Sequence, residues 1–211
     1  MARPTRASAA ADLVPAFADD LCLGFANTRY HRGGDAPTET LHAFDDVIAW
    51  CGAAGILAKG RARILQRWSR DQPEAAAKAF REAIELRESF YAIFRSLADG
   101  ETPPASALLA LKESLTEAPT RSGVERTASG YAWRVPRAEP SSVPALLAPA
   151  IWSACGLLVG PRLPRVRHCA NESCLWLFID DSKSGTRRWC SMSACGNRAK
   201  AHRHYARQKE T

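Results

Sequence analysis

At 211 residues the chain has room for one ordinary domain and a small module, and with 46% hydrophobic and 24% charged residues its composition is that of a globular protein. No apolar run approaches the roughly 18 residues needed to cross a bilayer, which excludes a membrane-spanning chain and a membrane partner. The formal net charge of +7 sits at one end: there are 18 basic and 18 acidic residues up to Pro161, then 11 basic and 4 acidic from Arg162 onward.

The first 16 residues, MARPTRASAAADLVPA, hold two arginines and many small residues but no continuous apolar stretch of about 7–15, so they read as a flexible tail and not a secretory signal. The expected compartment is the cytoplasm, where disulfides are disfavoured and clustered cysteines more often bind metal. LCLGFANT alternates Leu21, Leu23 and Phe25 and predicts a short half-buried strand, followed by a loop over YHRGGDAPTET. Leu41, Phe44, Val47, Ile48 and Cys51 recur at helical spacing, with Gly55 as the stop. In DQPE, Asp71 can cap a helix, Pro73 suits its first turn and Glu74 completes a capping box. That helix runs to Asp99 and is apolar around much of its circumference through Phe80, Ile84, Leu86, Phe90, Tyr91, Ile93, Phe94 and Leu97.

A third helix follows PPAS, carrying Leu108, Leu109, Leu111 and Leu115. VERTASGYAWRV predicts a hairpin turning at Ser129–Gly130, and SSVPALLAPAIWSACGLLVG a buried helix kinked at Pro149. These elements make residues 17–160 a mainly helical domain with a small sheet. GPRLPRVRHC, with two prolines and three arginines, marks the passage to the basic end near Gly160.

Beyond that boundary the cysteines fall at Cys169, Cys174, Cys190 and Cys195, a C-x4-C-x15-C-x4-C pattern. Two close pairs separated by a hairpin-length segment suit a tetrahedral ion, and Zn2+ favours four thiolates at about 2.3 Å. CLWLFID reads as a strand, DSKSG as a turn, TRRW as the return, and Ser191 or Ser193 as the cap of a helix through Cys195. A module of this size buries too little apolar surface to fold alone, so one structural zinc per chain is expected to supply the difference. By contrast, Cys22, Cys51 and Cys155 stand singly in apolar patterns and read as core packing. His168 adjoins Cys169, and a surface role is its simplest reading. The fold class expected is therefore α+β: a mainly helical N-terminal domain followed by a treble-clef-like zinc finger at residues 161–211.

This C-terminal stretch resembles the CGNR zinc finger. The tetrapeptide Cys195-Gly196-Asn197-Arg198, both cysteine pairs, Phe178, Asp180, Ser182, Gly185, RRWC and Lys200 carry the likeness over about the last 45 residues. LCLGFANTRYHR with AWCGAAGIL is similar, more loosely, to the ABATE domain that usually precedes this finger, with Gly24 where that family commonly has Asp. The resemblance implies a bacterial, stress-induced transcription regulator.

On the final helix Lys200, Arg203 and Arg207 share a face suited to phosphates, and Arg187 and Arg188 extend the patch. Arg198 and Asn197 can brace the zinc turn or approach a base edge. Asn27, Arg29 and Arg32 of NTRYHR are candidate contacts for a small-molecule effector in the N-terminal domain. The expected partners are DNA and that effector, with a homodimer as an open assembly state. No Gly-rich phosphate loop, GxSxG or HExxH is present and four cysteines would close the zinc, so the chain is not expected to be an enzyme. The alternative is a zinc-stabilised protein-interaction or RNA-binding module.

Overall fold

The computed structural model of the chain describes residues 11–128 and 130–201. The expected tail is ordered where it is described: Ala11–Pro15 forms strand β1, pairing antiparallel with a later strand. Leu21–Ala26 is a helix, α1, and not the strand that its alternation suggested. Five of its six residues are buried and only Gly24 faces out. A helix covered around its circumference has no polar stripe, so its period cannot be read from the sequence. A β-carbon on Gly24 would meet nothing within 4 Å, so the aspartate common at this position has room here and would stand at the surface.

Arg29–Tyr30 (β2) and Thr38–Glu39 (β3) form a small ladder around the HRGGD loop. Helix α2, Phe44–Ala53, begins where the Asp46 carboxylate accepts from the His42 and Ala43 amides at 2.7 and 3.0 Å. It ends at Gly55, whose φ of +74° is the left-handed turn that glycine takes without strain. Next comes α3, Lys59–Asp71, which the apolar pattern did not announce because Leu65 is its one fully buried residue. Asp71 closes this helix instead of capping the next, and α4, Pro73–Ala98, starts directly on Pro73. Helix α5, Ala105–Glu117, packs along α4.

Strands β4, Gly123–Thr127, and β5, Gly130–Pro136, form the expected hairpin, and β1 completes a three-stranded sheet of order β1-β5-β4. The expected kinked helix is two helices, α6, Val143–Leu146, and α7, Ala148–Val159. Pro149 lies in the first turn of α7, where a missing N–H costs nothing, so it starts a helix instead of bending one. Among the described residues no helix is long and apolar enough to cross a membrane.

The C-terminal segment contributes β6, Val166–His168, and β7, Leu177–Ile179, paired antiparallel. The hairpin therefore encloses the first cysteine pair and does not lie between the two pairs as expected. Val166, Leu177 and Ile179 belong to the same core as Phe25, Phe90 and Ile93, so the hydrophobic core runs straight through the Gly160 boundary. The architecture is α+β throughout.

A buried charge organises the site-facing side of this core. The Arg87 side chain on α4 is only 1% exposed. Its guanidinium bonds both oxygens of Glu39 at 2.6 and 2.7 Å, Glu88 at 2.8 Å and Thr28 Oγ1 at 3.4 Å. Burial alone would raise the Glu39 and Glu88 carboxyls, but hydrogen bonds from Arg87 to the first and Arg32 to the second hold both below the ordinary carboxylate range. Depressed folded values stabilise the fold above the unfolded value of about 4.3, and that contribution is lost as pH falls through the folded values. Arg87→Met is expected to cost about 1–3 kcal/mol in urea unfolding at pH 7, because it takes the guanidinium from Glu39 and leaves Glu88 to Arg32 alone. It should also make stability between pH 5 and pH 3 less pH-dependent than in the parent. A parallel acid profile in the two proteins would show that this cluster is energetically idle.

Candidate metal centre

The four finger cysteines converge. Their sulfurs all lie within 4.8 Å of one another, with Cys174 to Cys190 at 3.8 Å and Cys190 to Cys195 at 3.7 Å. A tetrahedron with 2.3 Å metal–sulfur bonds has edges of about 3.8 Å, so these sulfurs stand at the corners a zinc ion requires. All seven cysteines are free thiols, and Cys22 and Cys51 are isolated in the core, where burial pushes each up to about 12.

Each pair is shaped by local bonds. In the first knuckle Asn171 Oδ1 accepts from the Ser173 amide at 3.1 Å and from its hydroxyl at 2.8 Å, while the Cys174 amide donates to the Asn171 carbonyl at 2.8 Å. Asn171 Nδ2 also donates to Cys195 Sγ at 3.6 Å, linking the first knuckle to the last ligand. The second pair opens a helix: Met192–Gly196 is a π-helical turn capped by Ser191, and Cys195 is buried within it. A knuckle between two strands and a second at a helix start make the arrangement of a treble clef.

Asp180, 1% exposed, joins the two halves of the finger. Its carboxylate accepts from the Ser182 hydroxyl and amide and from the Arg187 amide at 2.9 Å, and these bonds, led by Ser182, hold its carboxyl below the usual range. Gly185, with φ +65°, completes the turn.

Burial and crowding oppose ionisation at two of the four thiols. Burial first, and the charge of Cys169 behind it, push Cys174 up to about 11; burial and the Cys174 and Cys169 charges push Cys190 higher still. Burial also raises Cys195, but hydrogen bonds led by Asn171 outweigh it and hold this thiol below its ordinary value. A divalent cation removes the conflict by converting all four to thiolates and expelling their protons. Cys169, Cys174, Cys190 and Cys195 thus hold one structural zinc, and the set leaves no open position for a substrate.

Of the residues expected to contact an effector, Asn27 holds the strand that follows the first knuckle, and Arg29 and Arg32 bond within the body beside it. Asn27, 4% exposed, reads the β7 backbone in both directions: its Nδ2 donates to the Leu177 carbonyl at 2.8 Å and its Oδ1 accepts from the Leu177 amide at 3.0 Å. Arg32 pairs with Glu88 at 2.7 Å, donates to the Ala26 and Arg29 carbonyls and lies 3.8 Å over the Tyr91 ring. The Tyr91 hydroxyl then donates to the Leu175 carbonyl at 3.1 Å. Arg29 pairs with Glu39 in the β2–β3 ladder. A β-carbon on Gly33 would collide with the Glu172 carbonyl oxygen, so only glycine lets this loop close on the knuckle. His168 bridges the same joint, with Nε2 at 2.9 Å from Asp99 Oδ1 and Nδ1 at 3.1 Å from the Cys169 carbonyl.

The basic residues separate into two groups. Arg187 is consumed within the finger: it donates to the Trp189 and Cys190 carbonyls and stacks 4.4 Å over Phe178. Arg188, Arg198 and Lys200 are exposed. Arg188 lies over the Trp189 ring, and Arg198 borders a cleft of about 320 Å³ shared with Asn171 and Glu172. Asn197 donates to the Ser193 carbonyl at 3.4 Å, within its own turn. Arg203 and Arg207 lie outside the described residues.

A zinc-stapled finger seated on a helical body is the class that fold and site define. The model of the ABATE family, described as a putative stress-induced transcription regulator, matches residues 19–161, and that of the CGNR zinc finger matches residues 165–208. The chain belongs to the ABATE family and ends in a CGNR zinc finger. A search of curated proteins finds no match to it.

Sequence reasoning located the four ligands and singled out Asp180 as a motif residue without its role, but missed Asn171, Arg87, Glu39 and Glu88, each of which has a partner distant in sequence. Elemental analysis is expected to find one zinc per chain and none in Cys190→Ser. Asn171→Ala should retain zinc but bind it about 10- to 100-fold more weakly in a chelator competition, as loss of a ligand's hydrogen-bond partner does. Equal zinc in Cys190→Ser and parent would overturn the site. Gly33→Ala is expected to destabilise the chain by about 1–3 kcal/mol and to speed amide exchange at Leu175 and Leu177. Unchanged exchange there would mean that the loop does not hold the knuckle.

Proposed function

We propose that this protein is a cytoplasmic, DNA-binding transcription regulator whose zinc finger and basic end grip the duplex and whose N-terminal domain senses a small ligand. The family description supports the regulator reading. The observation that carries the DNA-binding part is where the free cations lie: Arg188, Arg198 and Lys200 are exposed on the zinc-ordered second half of the finger. Four thiolates around a divalent ion carry a formal −2, which 11 basic residues against 4 acidic ones from Arg162 onward still outweigh. A local surplus of this kind concentrates a polyanion. In this reading the zinc orients the helical turn that carries Lys200 and performs no catalysis.

On mixed genomic duplex, three phosphate contacts from Lys200, Arg203 and Arg207 should give a slope of log affinity against log salt of about −3, at roughly −0.9 per phosphate. Lys200→Ala should flatten the slope by about one unit and weaken all sequences alike, since phosphates carry no sequence information. Removing zinc with a chelator should abolish binding. Salt-independent binding, or an unchanged slope after replacing Lys200, Arg203 and Arg207 together, would sink the reading and favour a protein partner.

A further inference from the structure

The NTRYHR loop is occupied by the finger, so an effector needs another place in the N-terminal domain. A cavity of about 90 Å³ between β1 and α3 has one cation, Arg61, already bonded to the Ala138 carbonyl and facing Asp12. A second groove, of about 460 Å³, lies between β5 and α7 and reaches the connector to the finger. Its size is that of small-molecule sites, which commonly run to about 300–1,000 Å³.

Three aromatic side chains wall this groove. Phe17 stacks on Trp152 with centroids 6.3 Å apart and planes 29° apart, and Trp133 stands on the adjoining strand. The Arg121 guanidinium lies over both indoles, 4.6 Å from Trp152 and 5.1 Å from Trp133. Among the described residues Arg121 has no carboxylate partner, unlike Arg162 at the mouth, which is bonded to Asp19 and Asp181. A guanidinium that lies over aromatic rings still has N–H groups to donate, and its edge matches a carboxylate in two parallel hydrogen bonds. The wall is open where Gly156 lacks a side chain, and a β-carbon there would meet nothing within 4 Å. A flat apolar wall beside an unpaired, pre-oriented cation selects a flat ring that carries an anion.

We infer that the groove walled by Phe17, Trp133 and Trp152 binds a planar aromatic carboxylate, with Arg121 on the carboxylate and the ring against the half-buried Phe17 and Trp133. The site deepens the regulator reading by supplying its effector class, and it rests on that reading only for the ligand's purpose. The route to the finger is short. Arg162 bonds the groove-rim Asp19 at 3.2 Å and Asp181 of the finger turn at 2.6 Å, so an anion in the groove competes for the residue that ties the two together.

Isothermal titration of the zinc-loaded full chain without DNA tests the site, using 1-naphthoate as probe, 1-naphthylmethanol as its neutral counterpart and octanoate as a flexible anion. Naphthoate is expected to bind at least tenfold more tightly than either. Arg121→Ala should weaken it by about 10- to 100-fold, the worth of hydrogen bonds to a charged group, and Arg121→Lys by less. Gly156→Leu fills the groove from an exposed helix position, so it should abolish binding while thermal unfolding stays at or above that of the parent. No heat of binding at millimolar naphthoate, equal binding of the neutral alcohol, or indifference to both substitutions would overturn the site. Because no DNA is present, those results leave the DNA-binding reading standing, and failure to bind DNA leaves a measured naphthoate site intact.

Discussion

A guanidinium sealed inside a protein must be matched by charge and hydrogen bonds, and in this chain that requirement fixes the joint between body and finger. Arg87 is surrounded by Glu39, Glu88 and Thr28. Glu39 stands on β3 and Thr28 follows α1, so satisfying one side chain anchors both ends of the segment that carries NTRYHR. Glu88 has a second customer in Arg32, which curls back to the Ala26 and Arg29 carbonyls and shapes the loop from within. With the loop thus set, Asn27 faces Leu177 and Gly33 meets Glu172. Buried ion pairs contribute little net stability against an apolar alternative, so the specificity of this loop is the better account of why the charge is there.

The zinc and the body each supply part of the finger's folding free energy. A 40-residue module lacks the buried surface to stand alone, and its ion supplies an energy of order 10 kcal/mol in small zinc peptides. Here Val166, Leu177 and Ile179 also sink into the body's core, and the first knuckle is gripped by Tyr91, Asn27 and the Gly33 loop. The finger is consequently not a bead on a linker: its hairpin is a piece of the domain that precedes it.

How much of this the sequence disclosed follows from the range of the interactions involved. The cysteine spacing is a local pattern with one chemical use, so the metal site was legible. The helices with one apolar and one polar face were legible for the same reason, as with α2 and α5. Helix α1 was hidden because burial on all sides erases its period, and α3 because little of it is buried. Of the polar residues of NTRYHR that read as binding candidates, Asn27 does bind, but to a backbone 150 positions away in the chain. Nothing in a single sequence distinguishes an asparagine that reads its own chain from one that reads a ligand. Asn171 shares that limit, since it turns its local segment while reaching Cys195.

The two knuckles are held unequally, and this decides what the metal controls. The first is tied to the body through Leu175, Leu177 and the close approach of Gly33, bonds that do not involve the ion. Among the described residues, the hydrogen bonds of residues 186–197 all stay within the finger, through Asp180, Ala170 and the turn around Cys190. Among the described residues Cys195 reaches the anchored knuckle through the metal site and the Asn171 contact, while Arg187 and Arg188 are held to the first half by Asp180 and Ala170 as well. Arg188, Arg198 and Lys200 ride on that second half. Loss of zinc therefore leaves the hairpin docked in the core, with Arg188 still tied to Ala170, and frees the segment from Cys190 onward, so metal occupancy governs the orientation of Arg198 and Lys200 more than the survival of the fold.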